Sequence, residues 1–124
     1  WNLNQVCSHL NDWIGYAVDG YPVPAAPIRL LLWSMKVAIG RKQLNKILKD
    51  GFQDKLPTMP ATVHAADSDT DEHSVNKLAE SIRRFKSHQG EYAASPVYGM
   101  LTREEALGLQ LQHCAHHLAF LNPK

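Results

Sequence analysis

Between Leu3 and Val18 the apolar residues Leu3, Val6, Cys7, Leu10, Trp13, Ile14 and Ala17 recur at intervals of three and four, and no segment of the chain alternates apolar with polar residues. A period near 3.6 draws one stripe on a helix, whereas a half-buried strand needs a period of two. The fold class is therefore all-α. Asn2 predicts the N-cap of this first helix and Gly20 its end. Pro22, Pro24 and Pro27 then impose an extended connection, after which Ile28–Lys49 reads as a second helix that can break near Gly40 and stops at Gly51. From about Asp71 to His88, Val75, Leu78, Ile82 and Phe85 take heptad-like positions on a third. In the last helix Thr102 and Glu105 form the capping-box pattern, and Leu107, Leu111, Cys114, Leu118 and Leu121 form the stripe expected to face the core. Phe52–Asp69, with Pro57 and Pro60, reads as a long irregular crossover, and Glu91–Met100 as a loop. Together these segments predict a helical bundle with long connections.

A chain of 124 residues suits one domain over residues 1–124. Thirteen Lys and Arg against twelve Asp and Glu leave a formal charge of +1, which implies no nucleic-acid partner and no membrane surface. Ile28–Ile39, the most apolar stretch, carries Arg29 and Lys36 and is too short to span a bilayer. Six basic residues between Arg29 and Lys49 read as a solvated face or as an attraction for an acidic cosubstrate. Cys7 and Cys114 fall inside apolar helical patterns, where reduced and buried thiols are expected, so a cytoplasmic protein is expected. No signal peptide is evident, and an opening on Trp1 rather than Met allows for upstream sequence.

The chemistry-bearing residues are histidines. His113 and His117 lie four apart on the last helix, roughly 100° to one side of its leucine stripe, and His9 takes a comparable shoulder of the first helix. Two helices packed through their stripes can bring these shoulders into one cleft. Three neutral imidazole nitrogens converging at about 2.0–2.1 Å on a divalent ion leave a position open for water or substrate. Zinc, nickel or iron would each tolerate such a set, because imidazole discriminates poorly among them. The plainer alternative is a partly exposed polar shoulder, which a His-x-x-x-His pair on a helix often is. His116 points away, and His64, His73 and His88 are expected to be solvated. Cys114 reads as a packed core residue more readily than as a ligand or nucleophile. Tyr16 and Gln110 are either pocket-lining residues or interface polar residues.

Trp1-Asn2-Leu3-Asn4-Gln5-Val6-Cys7-Ser8-His9-Leu10, Ser95-Pro96-Val97-Tyr98-Gly99-Met100-Leu101-Thr102-Arg103-Glu104-Glu105 and Gln112-His113-Cys114-Ala115-His116-His117-Leu118 resemble the DinB-like superfamily of metal-dependent enzymes, in a branch of unknown function. The resemblance covers both ends of the chain in residues and the middle by the order and length of helices. It implies a four-helix bundle with a long crossover and a metal held by His9, His113 and His117. The chain departs from the branch at Ser95, where His is usual, and at Ala106, where an aromatic is usual. The resemblance also implies a helix ahead of the Trp1 segment. Either Ile28–Lys49 completes the bundle, or a partner chain, such as a second copy in a homodimer, covers the exposed face.

What the resemblance implies about function is a metal-dependent enzyme acting on a small-molecule substrate. The ion would activate a low-molecular-weight thiol or water for transfer, isomerisation or hydrolysis. The alternative from another class is a non-catalytic metal-binding or self-associating helical module. An ion closed by a fourth protein ligand such as Cys114 would favour that alternative, and an open position facing a cavity would favour the enzyme.

Overall fold

Asn2 begins the first helix as the sequence predicts: its side chain accepts from the Gln5 amide while Gln5 reaches back to the Asn2 backbone, a reciprocal cap. In the computed structural model, which describes residues 1–66 and 69–121, this helix is α1 (Leu3–Asp19). It is followed by α2 (Ala26–Met35), α3 (Arg41–Asp50), α4 (Asp71–Ser87) and α5 (Arg103–Leu118). Asp67 and Ser68 of the expected crossover lie outside the described residues. All regular structure among the described residues is helical, apart from one isolated bridge between Ser95 and Gly99. Gly20 and Gly51 end α1 and α3 at positive φ, 105° and 83°, a region that glycine enters without strain.

The interruption expected near Gly40 is a π turn, Lys36–Gly40, which joins α2 to α3 in one continuous rod. The reason lies in the neighbouring loop. Gly40 passes so close to it that a Cβ there would stand 2.5 Å from the Val97 carbonyl oxygen. That loop is held from within, since Ser95 Oγ accepts from the Val97 and Tyr98 amides and the Ser95 and Gly99 backbones pair at 2.9 Å.

α1 is the central rod. It packs along α4 and against α5, and α3 packs on the other side of α5. The Asn4 side chain reaches the Asp69 carbonyl at one end and Asp19 pairs with Arg84 at the other, so α1 and α4 run parallel. Between these rods lies one apolar cluster of Ile14, Ala17, Phe85, Tyr92 and Ala106, and a second of Leu44, Ile47 and Leu109. Leu101 packs against both. The Phe85 and Tyr92 rings stack at 4.4 Å, and Tyr92 Oη donates to the Phe85 carbonyl, so the ring is buried with its hydroxyl satisfied.

The expected inward face of α5 is corrected. Leu107, Leu111 and Leu118 are 44%, 62% and 46% exposed, while Ala106, Leu109 and Gln110 are buried. The helix is turned by roughly a quarter of a revolution from its leucine stripe, so that His113 and His117 lie on its inward side. Small residues make this turn favourable: α3 approaches Gly108 closely enough that a Cβ would meet Leu48 Cδ2 at 2.8 Å. Ala106 lets α1 and α4 converge where a larger side chain would hold them apart. Leu121 lies beyond the end of α5.

Candidate metal centre

From the N-cap of α1 onward, four polar residues stand at intervals of three, four and three: Asn2, Gln5, His9 and Asp12. Each reaches the crossover. Asn2 Nδ2 donates to the Ala66 carbonyl at 2.8 Å, Gln5 Nε2 to the His64 carbonyl at 2.9 Å, and Asp12 Oδ2 lies 2.7 Å from His64 Nε2. His9, the third of the series, is buried at 2% exposure, with Nδ1 3.2 Å from the Thr62 carbonyl and 3.0 Å from Thr62 Oγ1. The crossover is thus laced along α1 by a polar stripe beside the apolar one. Its short 3₁₀ turn, Pro60–Thr62, forms a wall of the site.

Thr62 decides which nitrogen of His9 carries the proton. Its hydroxyl donates to the Met59 carbonyl at 2.8 Å, leaving oxygen lone pairs as the groups that face Nδ1. Only an Nδ1–H can satisfy them, so the Nε2 lone pair is left free. That lone pair points at His113: Nε2 to Nε2 is 3.2 Å, and His113 Nε2 to His117 Nε2 is 3.1 Å. One nitrogen from each of the three rings lies within 4.8 Å of the others, and no other cluster of histidine, cysteine or carboxylate side chains among the described residues has this closeness. The residues singled out by spacing therefore do converge.

Three neutral imidazoles packed this closely are an unfavourable arrangement by themselves. His113 as an Nε2–H tautomer can donate to one neighbour, which leaves the remaining lone pairs facing one another in a site poor in water. A proton does not resolve the conflict: burial, followed by the His117 and His9 charges, holds His113 down to about 3, and burial followed by His9 holds His117 down to about 4. Burial also lowers His9, against the Thr62 carbonyl and Asp12, which favour its charged form. A divalent cation fits the donor set. Tetrahedral nitrogens at about 2.0–2.1 Å from an ion stand roughly 3.3–3.4 Å from one another, close to the spacings on either side of His113.

Aromatic rings enclose the triad. Trp1 stacks on His117 at 5.8 Å with the planes 6° apart, Trp13 meets His113 edge-on at 5.6 Å, and Phe52 lies 5.3 Å from His113. Beyond His117 opens a cavity of about 360 Å³ lined by Trp1, Val6, Thr58, His116, Phe120 and Leu121. His117 belongs both to the triad and to this wall. Among the described residues, no carboxylate, lysine or arginine lines the cavity.

The other sequence candidates fall elsewhere. Cys114 packs against the apolar cluster around Ile14 and Phe85, and burial raises both its thiol and that of Cys7, as core thiols and not ligands. Tyr16 lies against Trp13 and Tyr21, and Gln110 is buried between α1 and α4, so neither joins the triad. His116 does not point away as expected but sits 5.3 Å from the His117 ring in the cavity wall. His64, expected to be solvated, is paired with Asp12 and half-buried. His73 and His88 remain at the surface, next to Asp69 and the Glu91 carbonyl. Thr62 and the Asp12–His64 pair were the residues missed. The three-four-three run of polar residues on α1 is the sequence signal that marks where a crossover would lie.

A family model described as a protein of unknown function (DUF1569) matches residues 1–124. The chain belongs to the DUF1569 family. No curated protein and no solved structure matches it. DUF1569 membership assigns no activity, so the chemistry of this member is argued from its own site. Among the described residues, no helix is long and apolar enough to cross a membrane.

Proposed function

We propose that this DUF1569 protein is a metal-dependent enzyme of the DinB-like type, in which His9, His113 and His117 hold a divalent transition ion, zinc, nickel or iron. The observation that carries this reading is the convergence of three imidazole nitrogens, flanking His113 Nε2 at 3.2 and 3.1 Å, in a site that keeps them neutral. When bound, the ion supplies Lewis acidity that favours the deprotonated form of a small thiol or water, for transfer, isomerisation or hydrolysis.

The chain's own residues do the rest. Thr62 fixes the tautomer and ring plane of His9, Trp1 stacks on His117, and Trp13 and Phe52 limit water around His113. The cavity beside His117 offers apolar and aromatic walls to a small substrate. Three protein ligands with a cavity alongside favour an enzyme over a structural module, which closes its ion with a fourth ligand. Cys114, the nearest candidate for that closure, is committed to the core.

Elemental analysis tests the reading on protein purified without a metal-affinity tag. The wild type is expected to carry close to one equivalent of ion per chain and His113→Ala almost none, with both showing the same helical circular dichroism. Equal, negligible metal in both would overturn it. Given an ion, a screen of cellular thiols with electrophilic substrates separates turnover from simple binding, and metal without turnover would favour the non-catalytic module.

A further inference from the structure

His64 holds the crossover to α1 at two points. Its carbonyl accepts from Gln5 Nε2 at 2.9 Å, and its ring Nε2–H donates to the Asp12 carboxylate at 2.7 Å. Gln5 stands one turn before His9 and Asp12 one turn after it, so the two tethers straddle the candidate ligand. Two residues earlier in the crossover, Thr62 sets both of its oxygens against His9 Nδ1. His64 lies outside the nitrogen cluster of the triad, yet it fixes the register at which Thr62 meets His9.

Little apolar surface holds this segment down. Among the described residues of the crossover Thr62 alone is buried, and Leu56 and Val63 are 44% and 50% exposed. Docking on α1 therefore rests on hydrogen bonds, each of which gains little net of the bonds that water would make, and segments held in this way open locally at low cost. The bond from His64 to the Asp12 carboxylate is of the strongest type among them. The Thr62 amide and hydroxyl both donate to the Met59 carbonyl, bonds internal to the Pro60–Thr62 turn, so the turn docks as a unit.

Docked and undocked crossovers leave His9 in different states. When docked, Thr62 keeps a proton on Nδ1 and a free lone pair on Nε2; when undocked, either nitrogen can carry the proton and the ring can turn about its side-chain bonds. An ion held through Nε2 binds the docked form more tightly, and a ligand that favours one of two forms draws the population toward it. Resting on the metal-centre reading above, we propose that docking of the crossover and loading of the ion are one coupled equilibrium, with His64 as the latch that sets it. The ion closes the crossover onto α1, and the closed crossover holds the ion. His64 is a positioning residue that acts on His9 through Thr62.

Hydrogen exchange read by mass spectrometry on the full chain, with zinc as the probe, tests the coupling. Zinc added to metal-free wild type is expected to slow exchange at the amides of residues 61–66 by about tenfold, within the usual range of coupling between two sites. His64→Ala is expected to speed exchange of the same amides in metal-free protein and to lower zinc affinity by about three- to tenfold, at or below the lower end for a partner behind a histidine ligand. His64→Gln, which offers Asp12 a donor from the place of Nε2 and is a poor zinc ligand, is expected to restore both. Should His64→Ala lose its helical circular dichroism, Asp12→Ala removes the same latch from the α1 side, with the same expectations. Zinc uptake by the wild type with unchanged exchange at residues 61–66, or a folded latch variant with wild-type affinity, would overturn the coupling and leave the metal centre standing. A Gln variant as weak as Ala would make the His64 ring a zinc ligand and overturn its role as a latch. A wild type that takes up no zinc would overturn the coupling and the metal centre together.

Discussion

Thr62 and His9 meet in a buried contact, with the imidazole Nδ1 3.0 Å from the hydroxyl and 3.2 Å from the carbonyl of a residue 53 positions away. The ligand nitrogen is thereby oriented from a crossover that has no regular period, and α1 alone does not determine where His9 points.

Removing the Thr62 hydroxyl leaves only the carbonyl to hold Nδ1–H. Thr62→Ala is expected to weaken metal binding by about tenfold, the lower end of what a partner behind a histidine ligand contributes. Thr62→Ser is expected to restore it. Competition with a chromophoric chelator reads both values, and an Ala variant with wild-type affinity would show that the carbonyl suffices.

Metal-free protein is expected to lose stability as it is acidified from pH 7. His113 at about 3 and His117 at about 4 lie below the ordinary histidine value of about 6.5 that the unfolded chain restores. Between these values the unfolded state binds more protons, so the contribution of the neutral rings is full above pH 6.5 and fades as pH falls toward 4 and then 3. Urea midpoints at pH 7.5, 6 and 5 should decline, with a shallower decline in His117→Gln. A flat wild-type profile would contradict the burial of these rings as neutral groups.

Two glycines should respond oppositely to alanine. Gly40→Ala places a Cβ against the Val97 carbonyl at 2.5 Å, a backbone group that cannot swing aside, and should cost about 1–3 kcal/mol. Gly15 lies within α1 with nothing within 4 Å of an added Cβ, so Gly15→Ala should stabilise by roughly 0.5–1 kcal/mol through a less flexible unfolded chain. Chemical denaturation of the two variants checks the signs, and destabilisation by Gly15→Ala would refute the open space beside α1.

At the start of α5, Thr102 Oγ1 accepts from the Glu105 amide, and Glu105 accepts in turn from the Thr102 amide and from Arg41 on α3. Thr102→Ala should cost about 1 kcal/mol of stability. Arg84→Ala, which removes a fully solvated pair with Asp19, should shift the thermal midpoint much less. A larger shift from Arg84 than from Thr102 would reverse the ranking of cap over surface ion pair.

Much of the helical framework follows from local rules. The caps at Asn2 and Thr102 fall at the residues the sequence marks, and α1 and α3 end at the glycines that follow them, because those choices concern backbone groups within one turn. The rotation of α5 was not legible. Its stripe of Leu107, Leu111, Cys114 and Leu118 is a valid apolar face, but Ala106, Leu109 and Gln110 are equally contiguous and less bulky, and periodicity cannot rank two arcs of one helix.

The residue order alone determined that this chain is helical, where α1 and α5 begin and α1 and α3 stop, and that His9, His113 and His117 were the imidazoles to watch. These are short-range matters of period, capping and the four-residue spacing of one helix face. Tertiary structure decided which side of α5 is buried, how Thr62 comes to stand behind His9, and that α2 packs on no other helix among the described residues. Those outcomes depend on how closely whole rods can approach, which small residues such as Ala106 and Gly108 permit only once the opposing helices are in place.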